Sequence, residues 1–239
     1  MSLLNSNTNT ITTFLCFLTF TFLLPAYSEA GSLGSYCSTD GNFTSNDSFD
    51  KNSKELLGYF NYKLARNDFV LGSKGHGPDQ ARGYAHCYYG VSAKDCQTCN
   101  HKTANEILEK CPYSKEAIMI YENCVLKYSN MSFFGKVDNY QISLVFAGSE
   151  NASSPAEFDG KKMQLLSTIS DQVSWKPRLA STGESIDGSP ELYGLAQCTK
   201  DLSSLDCKKC LDGAYSEIQA CCSGKLGAMG SFRGLQHEI

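Results

Sequence analysis

The chain has 239 residues, and 21 Lys and Arg against 25 Asp and Glu leave a formal charge of -4 at pH 7 with no basic block. That distribution lacks the cationic footprint of a nucleic-acid-binding protein, so nucleic acid is excluded as a partner. The length admits one large domain or two small ones.

Residues 1–28 are expected to be a cleaved signal peptide. A single long apolar stretch, residues 11–24, precedes Pro25-Ala26-Tyr27-Ser28, which puts small residues at positions minus three and minus one before Glu29. The stretch falls short of the roughly 20 apolar residues that span a bilayer. No later segment approaches that length, so the mature chain is expected to be secreted without a membrane insert. Of 12 cysteines, Cys16 lies in the leader, and the other eleven pass through an oxidising route, where thiols pair and an odd number leaves one over. Four sequons, at Asn42, Asn46, Asn130 and Asn151, agree with that route as glycosylation sites.

Downstream, Leu56, Leu57, Phe60 and Leu64 recur at helical spacing. An extended segment leads to Cys87. Ser92 then sits three residues before Asp95, a helix N-cap signature, and Cys96, Cys99, Thr103, Ile107 and Cys111 follow on one helical face. Residues 117–121 and 125–128 are short apolar runs of strand length. Residues 150–155 read as an exposed loop. A second amphipathic helix carries Met163, Leu166, Ile169 and Val173, and a second capped helix starts at Ser203 and Asp206, with Cys207, Cys210, Ala214, Ile218 and Cys221 along one face.

These elements form a repeat. Residues 83–99 and 194–210 share seven identities at a constant offset of 111, and each copy reads Cys-x8-Cys-x2-Cys: Cys87, Cys96, Cys99 and Cys198, Cys207, Cys210. Cysteine-bearing helices laid on one face of an antiparallel sheet make each copy a small α+β domain. The expected division is 1–28 leader, 29–134 first domain and 138–239 second domain.

The duplicated cysteine pattern with its leader resembles the plant cysteine-rich repeat secretory proteins, whose domain is named after the ginkgo seed antifungal protein ginkbilobin. The same tandem pair forms ectodomains of cysteine-rich receptor-like kinases and plasmodesmata-located proteins. The resemblance implies two helices on a five-stranded antiparallel sheet in each copy, and it pairs Cys37 with Cys111, Cys87 with Cys96 and Cys99 with Cys124. In the second copy it pairs Cys198 with Cys207. There the offset puts Leu235 in the place of Cys124, so Cys210 is left unpaired, and Cys221 and Cys222 have no assigned partners; adjacent cysteines rarely bridge without strain. Residues 230–239 lack strand alternation, so the second copy is expected to be incomplete, with an unfinished sheet edge.

The family's mannose-binding Asn, Arg and Glu fall on Ser38, Ile118 and Ser129, which do not match, so that ligand site is expected to be lost. Metal and cofactor are not expected: two C-x2-C pairs lie in separate repeats of a secreted chain, and the resemblance gives Cys96 and Cys99 different partners. No catalytic sequence surrounds His76, His86, His101 or His237. Tyr84, Tyr88, Tyr89 and Tyr121 read mainly as packing residues. The expected function is extracellular binding in the apoplast, without enzymatic activity, in plant defence or stress signalling. The expected partner is a cell-wall glycan or a receptor-kinase ectodomain, the alternative being a module that forms homo- or heterodimers through the second copy.

Overall fold

The structure is a computed structural model and describes residues 32–137, 143–175, 179–184, 192–232 and 235–238. The leader expected at 1–28 lies outside them. In the first copy, β1 (Ser32–Cys37) precedes α1 (Ser48–Leu64), β2 (Phe69–Lys74), β3 (Ala81–Cys87), α2 (Ala93–Lys110), β4 (Glu116–Tyr121) and β5 (Cys124–Ser129). The second copy repeats the order with β6 (Ser143–Ala147), α3 (Pro155–Trp175), β7 (Leu179–Glu184), β8 (Leu192–Cys198), α4 (Ser204–Cys221), β9 (Ala228–Phe232) and β10 (Leu235–Glu238).

The strands form two antiparallel five-stranded sheets of equivalent order, β1-β4-β5-β3-β2 and β6-β9-β10-β8-β7. Each copy is thus a two-layer α+β unit with its core between helices and sheet. Leu56, Leu57, Phe60 and Leu64 are buried, as are Leu166, Ile169 and Val173 in the second copy. The caps form as the spacing requires: Ser92 Oγ accepts from Asp95 N at 3.1 Å, and Ser203 Oγ from Asp206 N at 3.0 Å, each satisfying an otherwise orphaned helix amide.

The open edge expected in the second copy does not occur. β10 pairs with β8 on one side and β9 on the other, so it fills the place that β5 occupies in the first sheet. Main-chain bonding to two neighbours depends little on side-chain alternation, which is why the sequence pattern understated this strand. Glycine lets helix and sheet approach closely. A Cβ on Gly83 would stand 3.2 Å from Leu56 Cδ2 and Phe60 Cε2 of α1 and closer still to Lys127 O of β5, and one on Gly194 2.5 Å from Ile169 Cδ1 of α3.

Candidate functional site

The three positions matched to the mannose site converge at one end of the first sheet, where β1, β4 and β5 lie side by side. Ser38, one residue past β1, donates its N–H to Glu116 O at 2.9 Å, and its Oγ accepts from Asp40 N at 3.0 Å. Ser129 ends β5 opposite Glu116, and its Oγ accepts from Met131 N at 3.0 Å. Ile118 lies two residues along β4. All three are buried, and neither serine presents a charged or bidentate group to a sugar.

A charge pair that the sequence reading did not single out stands beside them. Lys127, opposite Ile118 on β5, reaches to 3.5 Å from Glu116 Oε1 and lies 4.1 Å from the centroid of the Phe133 ring. Its side chain is 2% exposed, and the carboxylate and ring face offset the loss of hydration. On β3, Arg82 donates from Nη1 to Asn130 O at 2.6 Å and from Nη2 to Gln80 Oε1. The charges at this end of the sheet hold the strand ends and the following segment together.

A second polar centre joins the copies. His86, 3% exposed, places Nε2 2.8 Å from Gln197 Nε2, while Gln197 Oε1 accepts from Tyr89 N at 2.8 Å. Phe69 packs edge-on against the imidazole at 5.5 Å, and burial pushes the His86 pKa down to about 4, with Asp68 and Asp201 favouring the charged form and Lys200 opposing it. Lys200 also bonds Asp68 across the copies, and Gly135 N donates to Asp201 Oδ2 at 2.9 Å. Of the four tyrosines, Tyr84, Tyr88 and Tyr121 are buried and Tyr89 is 63% exposed. His101 is exposed on α2, and His76 precedes a short 3-10 turn. His237 lies on β10.

Bridges join Cys37 to Cys111, Cys87 to Cys96, Cys99 to Cys124 and Cys198 to Cys207. Cys221 and Cys222, for which the sequence offered no partner, bridge each other across adjacent residues, Cα to Cα 3.8 Å. Strand register explains the change. Cys37 faces Ala117 in the first sheet, and Ala147 faces Ala228 in the second, so Ala147 stands where Cys37 does and Cys222, at the end of α4, lacks the strand cysteine that Cys111 bridges to. Cys222 is the fully buried residue of the pair and Cys221 is exposed, the reverse of the inward placement that helical spacing gave Cys221. Cys210 is in no disulfide bridge, because Leu235 holds the register place of Cys124, and burial raises its thiol to about 11. A thiol so disfavoured as thiolate is a poor link to another chain.

Among the described residues, no group of three or more His, Cys, Asp or Glu is placed to hold a metal ion, and no helix is long and apolar enough to cross a membrane.

A family model described as salt stress response/antifungal matches residues 36–131 and again 147–233. The chain is 41% identical over 226 residues to an antimicrobial ginkbilobin-2-like protein of Castanea crenata, covering 93% of each chain. It is 34% identical over 204 residues to cysteine-rich repeat secretory protein 38 of Arabidopsis thaliana, covering 84% of this chain and 81% of that one. Cysteine-rich receptor-like protein kinase 28 of the same plant is 29% identical over 193 residues, which make up 28% of its length. The crystal structure of the tandem DUF26 ectodomain of the Arabidopsis thaliana cysteine-rich receptor-like protein PDLP8 matches with a TM-score of 0.74 at 23% identity, over 86% of this chain and 95% of that one, and so shares the fold. The chain therefore belongs to the salt stress response/antifungal, or DUF26, family and carries its domain twice.

Proposed function

We propose that the protein is a secreted, non-enzymatic binding protein that recognises cell-wall carbohydrate in the apoplast as part of plant defence or stress signalling. The observation that carries this reading is a rigid scaffold with aromatic side chains left on its surface. Three bridges clamp the first copy, and Tyr62, Tyr89 and Tyr193 stand 73%, 63% and 63% exposed. Such rings suit ligands with apolar faces and polar edges. The relative named as antimicrobial and the one named as a secretory protein support defence and export. The family mannose positions take no part, since Ser38, Ile118 and Ser129 are buried. A second reading, a receptor-kinase ectodomain as partner, is favoured by the kinase relatives, which match this chain over about a third of their length or less.

On this reading residues 1–28 are removed on export. Asn42, Asn46 and Asn151 are exposed and suited to carry N-glycans, whereas Asn130 is half-buried at the end of β5. The test is binding of the protein, secreted from plant cells and with its bridges mapped, to an array of plant and fungal wall glycans alongside a set of receptor-kinase ectodomains. Saturable glycan binding supports the first reading. Ectodomain binding without glycan binding overturns it in favour of the second.

A further inference from the structure

One strip of the first copy brings two aromatic rings and two ammonium groups together at the edge of its sheet. Tyr59 lies where α1 meets the edge strand β2, and Gly72 makes room for it: a Cβ there would stand 2.8 Å from Tyr59 Cε1, so the bare backbone lets the ring settle against the strand. Lys63 Nζ lies 5.8 Å from the Tyr59 ring centroid and 5.6 Å from that of Tyr62, and Lys74 Nζ approaches Tyr59 from β2 at 5.6 Å. Tyr62, one helical turn from Tyr59, is 73% exposed.

The second copy is an internal control. Its core aligns Phe49, Leu56, Phe60 and Leu64 with Phe158, Leu165, Ile169 and Val173, so Tyr59, Tyr62 and Lys63 correspond to Thr168, Asp171 and Gln172. Sheet register places Thr182 at the position of Gly72 and Glu184 at that of Lys74, since Gly72 faces Gly83 and Thr182 faces Gly194, while Lys74 faces Ala81 and Glu184 faces Leu192. The same fold therefore closes with no aromatic ring there and with two acids in place of two of the strip's four functional residues. Packing accounts for Tyr59 and for the glycine that admits its ring, but not for the exposed Tyr62 or the two lysines. In a chain of net charge -4 two ammonium groups beside an exposed ring favour a ligand that carries negative charge.

The geometry points to this strip, formed by Tyr59, Tyr62, Lys63 and Lys74, as a binding surface for an acidic polysaccharide of uronic-acid residues. A sugar ring lies on the exposed Tyr62, and the uronate carboxylates accept charge-assisted hydrogen bonds from the two ammonium groups beside it. Both lysines already stand over the tyrosine rings, so a carboxylate drawn to them is brought to the edge of a stacking face. The surface names the ligand class for the carbohydrate-binding reading above and rests on it.

The experiment uses the secreted, fully bridged protein and oligomers of galacturonic acid as the probe, with galactose oligomers and poly-glutamate beside them. Galacturonic-acid oligomers are expected to bind with an affinity that falls as salt is raised, and galactose oligomers and poly-glutamate at least tenfold more weakly. Lys63→Gln/Lys74→Gln and Tyr62→Ala are each expected to lose tenfold or more, while Lys209→Gln, at an exposed position of α4, keeps the affinity of the parent. Circular dichroism and the non-reducing mass verify that each variant is folded and bridged. Poly-glutamate binding as tightly as the uronate overturns the proposal, and so does unchanged affinity in folded strip variants. Binding of neutral wall glycans that the strip variants do not disturb overturns the strip and leaves carbohydrate recognition standing. Binding of no glycan at all overturns both.

Discussion

Gln197 reaches across the boundary between the copies to His86, the residue at its own place in the other repeat, 111 positions earlier. Gln197 Oε1 accepts the Tyr89 N–H, which turns the amide NH2 toward the imidazole. His86 Nε2 must then accept, and the ring is neutral with its proton on Nδ1. A proton on Nε2 would set two donors against each other in a site 3% exposed.

The first prediction concerns acid. Burial holds His86 near 4, below the ordinary 6.5, so between those values the unfolded chain takes up a proton that the native chain refuses. The contribution is fully present above pH 6.5 and is lost as pH falls toward 4, by an amount of order 3 kcal/mol at about 1.4 kcal/mol per pH unit. Urea midpoints measured from pH 7 to 4.5 are expected to fall. His86→Gln, whose amide oxygen can accept from Gln197, should flatten that fall while keeping most of the stability at pH 7. An equally steep pH dependence in the variant would refute the assignment.

In the second copy a buried charge network ties the two helices together. Lys162, at the α3 position corresponding to Ser53, is 1% exposed; its Nζ donates to Cys222 O at 2.9 Å and pairs with Asp159 at 2.7 Å. Asp159 also accepts from Ser223 Oγ at 2.6 Å and Gly224 N at 3.0 Å. This network ties the end of α4 to α3, next to where the counterpart of the Cys37–Cys111 bridge is missing. Lys162→Met keeps the stem but leaves a partly buried carboxylate and the Cys222 carbonyl short of a donor, for a loss of about 2–4 kcal/mol. Hydrogen exchange should show the loss first at the end of α4. Unchanged protection there would mean that the network contributes little.

The sequence made the duplication, both serine caps and the helix faces legible, because each is a local pattern: an offset, a three-residue spacing, a 3.6-residue period. β10 was not legible, since its support is main-chain pairing to β8 and β9. Nor was the Cys221–Cys222 bridge, which follows from strand register placing Ala147 and Leu235 where the first copy has cysteine. His86 was weighed as a catalytic histidine, and nothing near it in sequence points to Gln197. Among the candidate site residues, Ser38, Ile118 and Ser129 could be placed by motif, but Glu116 and Lys127 become neighbours only through the pairing of β4 with β5.

Gly83 and Gly194 are equivalent residues with unequal surroundings, and they should respond unequally to the same change. At Gly83 the added methyl meets a main-chain oxygen, Lys127 O, which cannot swing away without disturbing β5. At Gly194 it meets the terminal methyl of Ile169 and the side chain of Leu165, which can change rotamer. Gly83→Ala is expected to cost about 3 kcal/mol and Gly194→Ala about 1, within the range for overpacking. Thermal unfolding of the two variants checks the order; equal losses would show that β5 yields as readily as a side chain.

Ala147 stands at the register place of Cys37, and Cys222 stands where Cys111 does, so Ala147→Cys should restore to the second copy the bridge that clamps the first. Two thiols would then compete for Cys222. The adjacent one is held close by the chain, but it is exposed at the last residue of α4, whereas the strand thiol would approach in the geometry that the first copy already uses. Combining Ala147→Cys with Cys221→Lys, which installs the residue found at Lys110, removes the competition. Non-reducing peptide mapping is expected to join position 147 to Cys222 in both variants, with Cys221 open to alkylation in the single one. The double variant should gain about 2–4 kcal/mol, the usual effect of a bridge closing a loop of this size. Persistence of the Cys221–Cys222 bridge in the single variant would mean that proximity along the chain outweighs strand register. Failure of the double variant to bridge at all would mean that the ends of β6 and α4 are not placed as their counterparts are in the first copy.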